Sequence, residues 1–513
     1  METVRVRFEP EGVEVDVRDG ATIHEAAAEA GILLEAPCGG LGRCGSCRVH
    51  ASGGLRPPGA TELEALSGAD LAAGTRLSCL ARIGGPATVM VRHATVRPLR
   101  VEASGPRAAK ASPREGLGIA VDLGTTTVAV SLYDLADGRL LDTASALNPQ
   151  VAFGHDVMTR VSRSVAGDAD ALRDAVTGQL DRMVRELLVS GDDGCSDLSE
   201  IVVVGNPAMV HLLLGRDVAP FAAAPHEGAL IDAFTLPASD AGLPGAPDAT
   251  VYIGAAISAF VGSDAVAGVL ATGLAQRTDP TLLIDLGTNG EIVLRANGAT
   301  TATSAAAGPA MEGVSISSGM RAEPGAIDRV RLVDGRIEVT TVDGEPARGI
   351  CGSGLLDAVA SLLDAGAIDA SGRISESYDL APDVLLTQQD VRALQLAKGA
   401  VAVAIDVLLE EAGVAADDVR EVIVAGAFGS HVSPRSLVRL GILPQAWAGR
   451  VTFAGNTALA GATAMLLDPA ARARASALAR ETSTVKLATH PEFQRRFLAA
   501  LDFPPAAPDE RDR

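Results

Sequence analysis

The first twenty residues alternate between apolar and polar positions, which is the pattern of strands with one buried face. Val4, Val6 and Phe8 are separated by polar residues, and the alternation resumes over 13–17 after a turn at 10–12. Because side chains on a strand point alternately to its two faces, each run places its apolar residues on one side. We therefore predict an antiparallel hairpin at the start of the chain.

A short helix and a late strand complete a small unit. Thr22 precedes an Ala-rich run and Glu25 follows three residues later, which is the spacing of a capping box. Val89 and Val91 indicate a further strand. We assign 1–95 to one β-rich domain.

The chain changes character after this unit. Residues 104–116 have no periodicity and are rich in Ala, Pro, Ser and charge, as linkers are, and we place the linker at 96–117. Strand and helix patterns then alternate over 118–480, which is typical of an α/β architecture. The remainder, 481–513, is a C-terminal segment whose end, from Pro504, we expect to be disordered.

The α/β region contains a weak internal repeat. Residues 118–134 match 281–297: in each, an apolar strand ends in Asp-Leu-Gly-Thr and a second strand follows the turn. The two aspartates, Asp122 and Asp285, are 163 positions apart. This spacing suggests two related lobes that face each other. Between the repeats, 232–250 is predicted to be a surface loop.

Charge and composition restrict the partners. The net charge of −21 argues against nucleic acid and against an anionic membrane surface, because both are bound through clustered Lys and Arg. No run approaches the roughly 18 apolar residues of a membrane span, and the N-terminus has no apolar signal region. We therefore expect a cytoplasmic protein. In that compartment six cysteines do not indicate a disulfide framework, so a cluster of them needs metal binding or catalysis to explain it.

Four cysteines have the spacing of a 2Fe–2S ferredoxin site. Cys38, Cys44 and Cys47 lie in one loop as C-x5-C-x2-C, and Cys79 follows alone after 31 residues. Zinc sites usually pair two short C-x-x-C-like knuckles, whereas one loop plus a distant fourth cysteine is the ferredoxin arrangement. The alternatives are a zinc site or unliganded thiols.

Other features of the loop fit a cluster. Four glycines are expected to let the backbone fold tightly and to aim amides at the sulfurs: Gly39, Gly40, Gly42 and Gly45. Such a domain accepts and passes one electron. Cys195 and Cys351 lie apart from the loop, and we interpret each as an ordinary small buried or loop residue.

The repeated turns are candidate phosphate sites. The chain has no Walker A motif and no G-x-G-x-x-G after a strand, which argues against a P-loop ATPase and a Rossmann-type reductase. A tight turn after a strand presents several backbone N–H groups in one direction, and threonine hydroxyls add donors. The predicted phosphate contacts are Gly124, Thr125, Thr126, Thr127, Gly287, Thr288, Asn289 and Gly290.

Acidic residues at the strand ends suggest a metal. Asp122 and Asp285 are placed to hold Mg²⁺ through water, and we assign them, with Glu291, to the catalytic set. Glu291 is a candidate for orienting the attacking water, although an exposed strand glutamate is an equally good interpretation. Asn148, Gln150, Asp156 and Arg160 form a polar patch whose simplest interpretation is a capped helix start.

The order of these motifs resembles that of the ASKHA superfamily of sugar kinases, heat-shock 70 chaperones and actin. Residues 122–127 and 285–291 resemble its two phosphate motifs, and 252–268 and 455–466 resemble its two connecting helices. Residues 422–430 resemble its adenosine motif. The resemblance implies ATP binding in a cleft between two lobes, with the adenosine against Gly426, Ala427, Phe428 and Gly429.

Nearly all of residues 1–470 is similar to the reductive activators of corrinoid proteins. The segments that carry this resemblance are 148–160, 203–215, 285–291, 349–357 and 425–431. It implies a β-grasp ferredoxin domain followed by a two-lobed ASKHA ATPase, carrying a 2Fe–2S cluster, ATP and Mg²⁺. It also implies that an external donor supplies the electron that returns a partner corrinoid protein from Co(II) to Co(I), and it suggests a homodimer.

Two other functions stay open at this point. One is a small-molecule kinase of ASKHA type with a fused ferredoxin, since fold alone does not determine function. The other is a redox sensor or scaffold in which nucleotide gates partner binding without turnover.

Overall fold

The structure is a computed structural model of the 513-residue chain. It describes all residues except 1–2, 11, nine positions between 31 and 46, 92–111, 191–197, 224–228, 427–431 and 506–513. Cys44 is among the nine positions, and Cys195 also lies outside the described residues.

The N-terminal unit is a five-stranded sheet with short helices. Its elements are β1 (Thr3–Glu9), β2 (Val13–Arg18), α1 (Ile23–Glu29), β3 (Arg48–Leu55), α2 (Ala60–Ala65), α3 (Gly68–Ala72), β4 (Thr75–Leu77) and β5 (Ile83–Met90). The strand order is β2-β1-β5-β3-β4, with β1 and β5 parallel. The predicted hairpin is confirmed, since Val4 pairs with Val17 and Val6 with Val15. The capping box on α1 is also confirmed.

The first lobe is built on a six-stranded sheet of order β10-β11-β9-β6-β7-β8. Its elements are β6 (Leu117–Leu123), β7 (Thr127–Asp134), β8 (Leu140–Leu147), α4 (Val157–Arg163), α5 (Ala169–Ser190), β9 (Leu198–Gly205), α6 (Pro207–Leu213), α7 (Ala219–Ala222), β10 (Phe234–Pro237), β11 (Thr250–Ile253) and α8 (Ser263–Thr272). Strand β9 is almost entirely buried, as expected of an apolar strand between parallel neighbours.

The second lobe contains a sheet of order β21-β20-β12-β13-β14-β22 and two smaller sheets. Its elements are β12 (Thr281–Leu286), β13 (Gly290–Ala296), β14 (Ala299–Ala305), β15 (Ala326–Val333), β16 (Arg336–Thr341), β17 (Gly349–Ile350), α9 (Gly352–Asp364), β18 (Tyr378–Ala381), β19 (Val384–Leu386), α10 (Gln388–Glu411), β20 (Glu421–Ala425), α11 (Pro434–Arg439), β21 (Val451–Gly455), α12 (Thr457–Leu467), α13 (Pro469–Glu481), β22 (Ser483–Thr484) and α14 (Phe493–Ala499).

The two large sheets repeat one topology. In each, an antiparallel three-strand meander (β6-β7-β8 or β12-β13-β14) is extended on its first strand by two parallel strands. The aspartates occupy matching register positions: Asp122 lies opposite Val204 of β9, and Asp285 opposite Ala425 of β20. The predicted pair of related lobes is therefore confirmed.

Helices α8 and α12 connect the lobes by crossing at close range. Helix α8 follows a first-lobe strand and packs between the two sheets, since Val269 shares a core cluster with Leu283 and Val266 shares one with Val202. Helix α12 follows a second-lobe strand and packs on the first sheet, with Ala462 against Val202. A Cβ on Gly461 would lie 2.2 Å from the Ala267 carbonyl oxygen, so only glycine fits the crossing.

The prediction of a surface loop at 232–250 is wrong. The segment contains β10, which pairs with β11, and its Ala238, Ala241 and Leu243 side chains are completely buried in the first-lobe core. Its many Ala, Gly and Pro residues suggest an exposed loop, but the turns after β10 lie against α5, where a Cβ on Gly242 would lie 2.8 Å from Thr177 Cγ2. Small apolar side chains pack closely in such a position.

Among the helices that the structure describes, none combines the length and the apolar character needed to cross a membrane.

Candidate functional site

A cleft lies between the lobes at the carboxyl ends of β6 and β12. It encloses about 770 Å³, including its open mouth. Ligands of α/β sheets bind at this end of the strands. The lining residues are Asp122, Gly124, Thr125, Thr126, Thr127, Asn206, Asp264, Ala265, Asp285, Leu286, Gly287, Thr288, Asn289, Glu291, Glu312, Gly426, Asn456 and Ala458. All of the predicted turn residues except Gly290 thus line one cavity, and Gly290 is the buried first residue of β13.

The two turns meet directly across the cleft. The Thr126 and Thr288 hydroxyl oxygens are 2.7 Å apart and share a hydrogen bond. Thr288 Oγ1 also donates to Glu312 Oε1 at 2.9 Å. Both turns therefore direct hydroxyl groups at one point, where a phosphate would receive donors from each lobe.

Five carboxylates surround this point. Burial raises the pKa of Asp122 to about 7, although a hydrogen bond from Asn456 Nδ2, at 2.8 Å, opposes the shift. Burial and the negative charge of neighbouring carboxylates raise the pKa of Asp285 to about 8. Burial also raises the pKa values of Asp264, Glu291 and Glu312. Such crowding disfavours ionisation unless a cation joins the site.

Glu291 is a cleft residue and not an exposed strand glutamate. Its side chain is buried, and Ser304 Oγ lies 3.4 Å from Glu291 Oε1. Its register partner on β12 is Asp285, which places both carboxylates at the same level of the sheet.

Sequence reasoning missed four polar residues that line the cleft: Asn206, Asp264, Glu312 and Asn456. Asp264 lies in the first turn of α8, inside the segment that resembles a connecting helix. Asn456 caps α12, and an Asn after a strand was a readable signal. Glu312 lies in a 3₁₀ turn with no local pattern around it.

The predicted adenosine motif is described only in part. Gly426 follows β20 with a φ of +112°, and a Cβ there would lie 2.7 Å from the Leu286 carbonyl oxygen. Gly426 lines the cleft. Ala427, Phe428 and Gly429 lie outside the described residues.

Three of the four predicted cluster cysteines are described. The Sγ atoms of Cys47 and Cys79 are 3.2 Å apart, and the charge of Cys38 acts on Cys79. The hydrogen bond between the two sulfurs lowers the pKa of Cys47 to about 6 and raises that of Cys79. The described residues include no group of three or more His, Cys, Asp or Glu side chains already arranged to hold a metal ion.

The surrounding structure fixes Cys47 beside Cys79. Ser78 N donates to the Cys47 carbonyl at 2.8 Å, one residue before Cys79. A buried ion pair between Arg76 and Glu62, at 2.8 Å, holds the preceding strand, and Glu62 also accepts from Leu77 N. Because the glutamate has several donors, its burial is compensated. The arrangement thus fits thiolate ligands of one iron–sulfur centre.

The N-terminal unit contacts the first lobe through α1. The His24 side chain forms a hydrogen bond with the Ala152 backbone, and burial lowers its pKa. Residues 112–116, within the predicted linker, also lie against the first lobe, where Arg114 pairs with Glu200 at 2.7 Å.

Cys351 lies far from the cysteine loop in sequence and begins α9. Its buried thiol donates to the Ile327 carbonyl and contacts Ser353 Oγ, both at 3.3 Å. It is an ordinary buried cysteine, as expected.

Three family models match consecutive parts of the chain. A 2Fe–2S iron–sulfur cluster binding domain matches residues 6–84, the RACo middle region matches 117–277, and the C-terminal domain of RACo, described as the ASKHA domain, matches 279–511. The predicted fold class, a ferredoxin-type domain followed by an ASKHA domain, is confirmed.

Individual proteins also match most of the chain. The corrinoid activation enzyme RamQ of Eubacterium limosum is 30% identical and covers 96% of this chain and 98% of its own. A [Co(II) methylated amine-specific corrinoid protein] reductase of Methanosarcina barkeri is 28% identical over 75% of this chain and 77% of its own. A solved structure, a reductive activator for corrinoid, iron–sulfur protein, has a TM-score of 0.72 at 27% identity and covers 98% of both chains.

Proposed function

Since this chain belongs to the family of corrinoid activation enzymes, we propose that it reductively activates a corrinoid protein in an ATP-dependent reaction. The reaction delivers one electron and returns cobalt from Co(II) to Co(I). The observation that carries the proposal is the end-to-end match to such enzymes, in a chain that has both a cysteine site and a nucleotide-type cleft.

The cysteine site is the electron-carrying end. We assign Cys38, Cys44, Cys47 and Cys79 as the cluster ligands, supported by the short distance between the Cys47 and Cys79 sulfurs. When bound, a 2Fe–2S cluster supplies a one-electron carrier between an external reductant and the corrinoid.

We place ATP in the cleft, with its phosphates against the two turns and its adenosine near Gly426. The support is that both turns present hydroxyl groups at one point and that Gly426 lines the same cavity. Asp122 and Asp285 would hold Mg²⁺, whose charge offsets the crowded carboxylates. Glu291, buried beside Asp285, is our candidate for orienting the attacking water.

A need for ATP follows from the direction of the electron transfer. When the acceptor has a lower potential than the donor, each 59 mV or so of difference is a tenfold unfavourable factor for one electron. Nucleotide binding and hydrolysis offset that factor if they favour one arrangement of the partners. The external donor, the homodimer and the cytoplasmic location stay predictions.

The test uses the full-length, cluster-loaded protein with a reductant, ATP and a Co(II) corrinoid protein of a methyl-transfer system. We expect ATP-dependent appearance of the Co(I) absorbance spectrum and faster ATP hydrolysis with the partner. Cys79→Ser should abolish cobalt reduction and keep nucleotide binding. Asp285→Ala should keep the cluster spectrum and lose ATP-dependent reduction.

Cys351→Ser is the matched control, because serine keeps both contacts of that buried thiol, and it should behave like the unmodified protein. An unchanged corrinoid spectrum with several candidate partners would exclude the proposed activity. Transfer of the ATP γ-phosphate to a small molecule, with ADP as the other product, would support a kinase instead.

A further inference from the structure

Arg160 is completely buried beneath the first turn. It lies on α4, and its guanidinium donates to the Thr125 carbonyl at 2.6 Å and to the Gly154 carbonyl at 2.8 Å. Its remaining nitrogen approaches Gln150 Oε1 at 3.3 Å and Met209 Sδ at 3.2 Å. All four partners are neutral.

The positive charge of Arg160 is therefore buried without a directly bonded counter-ion. The hydrogen bonds of Arg160 go to neutral groups, and the carboxylates of Asp156 and Glu312 attract its charge only from farther away. Burial lowers the pKa of Arg160 to about 9, so the guanidinium stays charged at neutral pH. Because an unpaired buried charge is costly, its presence calls for a negative group nearby.

The carbonyl groups of the first turn all point toward this side. Gly124 O accepts from Asn148 Nδ2 at 2.9 Å, and Thr126 O accepts from Asn148 N at 2.7 Å. The carbonyl of Thr125, which lies between these two residues, accepts a hydrogen bond from Arg160. In a trans peptide the N–H group points opposite to the C=O, so the Thr125 and Thr126 N–H groups face the cleft. This is the orientation that an anion requires.

The cleft itself offers no positively charged side chain among the lining residues that the structure describes, whereas five carboxylates line it. Among the described side chains, the positive charges near the first turn lie outside the cleft lining, on Arg160 and Arg321. Arg321, whose Nη2 lies 3.4 Å from the Thr126 carbonyl, approaches the turn from the second lobe.

We propose that Arg160 is a positioning residue for nucleotide binding. Its hydrogen bond to the Thr125 carbonyl keeps the N–H groups of the first turn directed at the nucleotide phosphates. Its guanidinium also provides a fixed positive charge on the side of the turn opposite the phosphates. This inference rests on the proposed ATP site. It adds that the positive charge of Arg160 attracts the phosphates and has no effect on adenosine binding.

The test compares ATP, ADP and adenosine binding to the full-length protein by calorimetry. For Arg160→Gln we expect ATP affinity to fall at least about 30-fold, ADP affinity to fall less, and adenosine affinity to stay unchanged. Arg160→Lys keeps a charge but loses the planar fork, so it should recover part of the ATP affinity. This graded loss with phosphate number is a readout that a purely structural role would not produce.

Arg472→Gln is the matched control. Arg472 is also largely buried, bonds Glu200 at 2.6 Å and stacks on Tyr252, away from the turn. Its loss should lower the melting temperature and leave the ratio of ATP to adenosine affinity unchanged. If Arg160→Gln does not fold, Arg160→Lys serves as the test by itself, because it should lower the affinity for ATP more than the affinity for adenosine.

Equal losses for all three ligands, or an unchanged ATP affinity, would overturn the role of Arg160. If the unmodified protein binds none of them, the proposed ATP site itself fails, and the two failures are thereby distinguished.

Discussion

The two Asp-Leu-Gly-Thr turns have the same sequence and the same place in their sheets, yet different residues hold them. Side chains from elsewhere in the first lobe hold the first turn, through Asn148 and Arg160. In the second turn, the backbone N–H of Gly308 donates to the Thr288 carbonyl at 2.8 Å, and the Thr288 hydroxyl bonds Glu312. The duplicated strands thus fix the turns, and segments that are not duplicated give each turn its own chemistry.

The aspartates that precede the two turns also differ in the side chains that contact them. Asn456 donates to Asp122, whereas no described side chain donates to Asp285. Burial raises the pKa of both aspartates; neighbouring carboxylates raise that of Asp285 further, whereas the hydrogen bond from Asn456 opposes the shift of Asp122. One oxygen of Asp122 is engaged with Asn456, which leaves Asp285 with both oxygens available for a cation or water.

The largest expected effect separates these aspartates. Asp285→Ala should lower the rate constant for Mg²⁺-dependent ATP hydrolysis at least about 100-fold, since a metal-side carboxylate contributes several kcal/mol. Asp122→Ala should lower it about tenfold, because one Asp122 oxygen already accepts a hydrogen bond from Asn456 and is less available to the metal. Steady-state hydrolysis assays measure both. Asp364→Ala, which removes a carboxylate paired with Arg439 outside the cleft, is the control and should not change the rate. Equal losses for the two aspartates would contradict the difference between the turns.

The glycines of the turns should also respond differently. A Cβ on Gly124 would lie 2.4 Å from the Thr127 carbonyl oxygen, whereas a Cβ on Gly287 has its nearest contact, Glu312 Oε1, at 3.3 Å. Gly124→Ala should therefore lower the free energy of unfolding by about 1–3 kcal/mol, as overpacking does, and Gly287→Ala should have a smaller effect. Chemical denaturation of the nucleotide-free protein measures the difference. Comparable destabilisation by both variants would show that the turns are not held as described.

The smallest effect concerns the hydroxyl bond that joins the turns. A double-mutant cycle of Thr126→Val and Thr288→Val should give a coupling of about 0.5–1.5 kcal/mol in unfolding free energy without nucleotide. The coupling should decrease with saturating ATP, because the hydroxyls then face phosphates. The exposed Thr301–Ser483 hydroxyl pair, at 3.0 Å, supplies the control cycle with a smaller coupling. Zero coupling without nucleotide would mean that the two lobes do not communicate through this contact.

Much of this molecule can be predicted locally. The N-terminal hairpin follows from the alternation over Val4, Val6 and Phe8, and the α1 capping box from Thr22 and Glu25. The duplicated lobes follow from two copies of one strand-turn-strand pattern. Each of these predictions depends on residues that are close together in the sequence. The periodicity of a strand or helix determines which of their side chains share a face.

Other features have no local signal. Small residues at 232–250 fit a surface loop or a buried segment equally well, and the outcome depended on β11 pairing with β10 and on α5 lying against the turns that follow. The polar patch illustrates the same limit. Asp156 caps α4, as its spacing predicts, but that spacing carries no information on the contact of Arg160 with the Thr125 carbonyl.

Local sequence patterns are enough to identify the motifs of this protein: a ferredoxin-like cysteine spacing, two Asp-Leu-Gly-Thr turns and their order along the chain. Which polar groups meet depends on how the folded chain brings distant segments together. Asn456 reaches Asp122 across 334 positions, and Thr126 reaches Thr288 across 162. Spacing and periodicity report interactions between near neighbours, whereas contacts at such separations arise when buried sheets and crossing helices bring the lobes together.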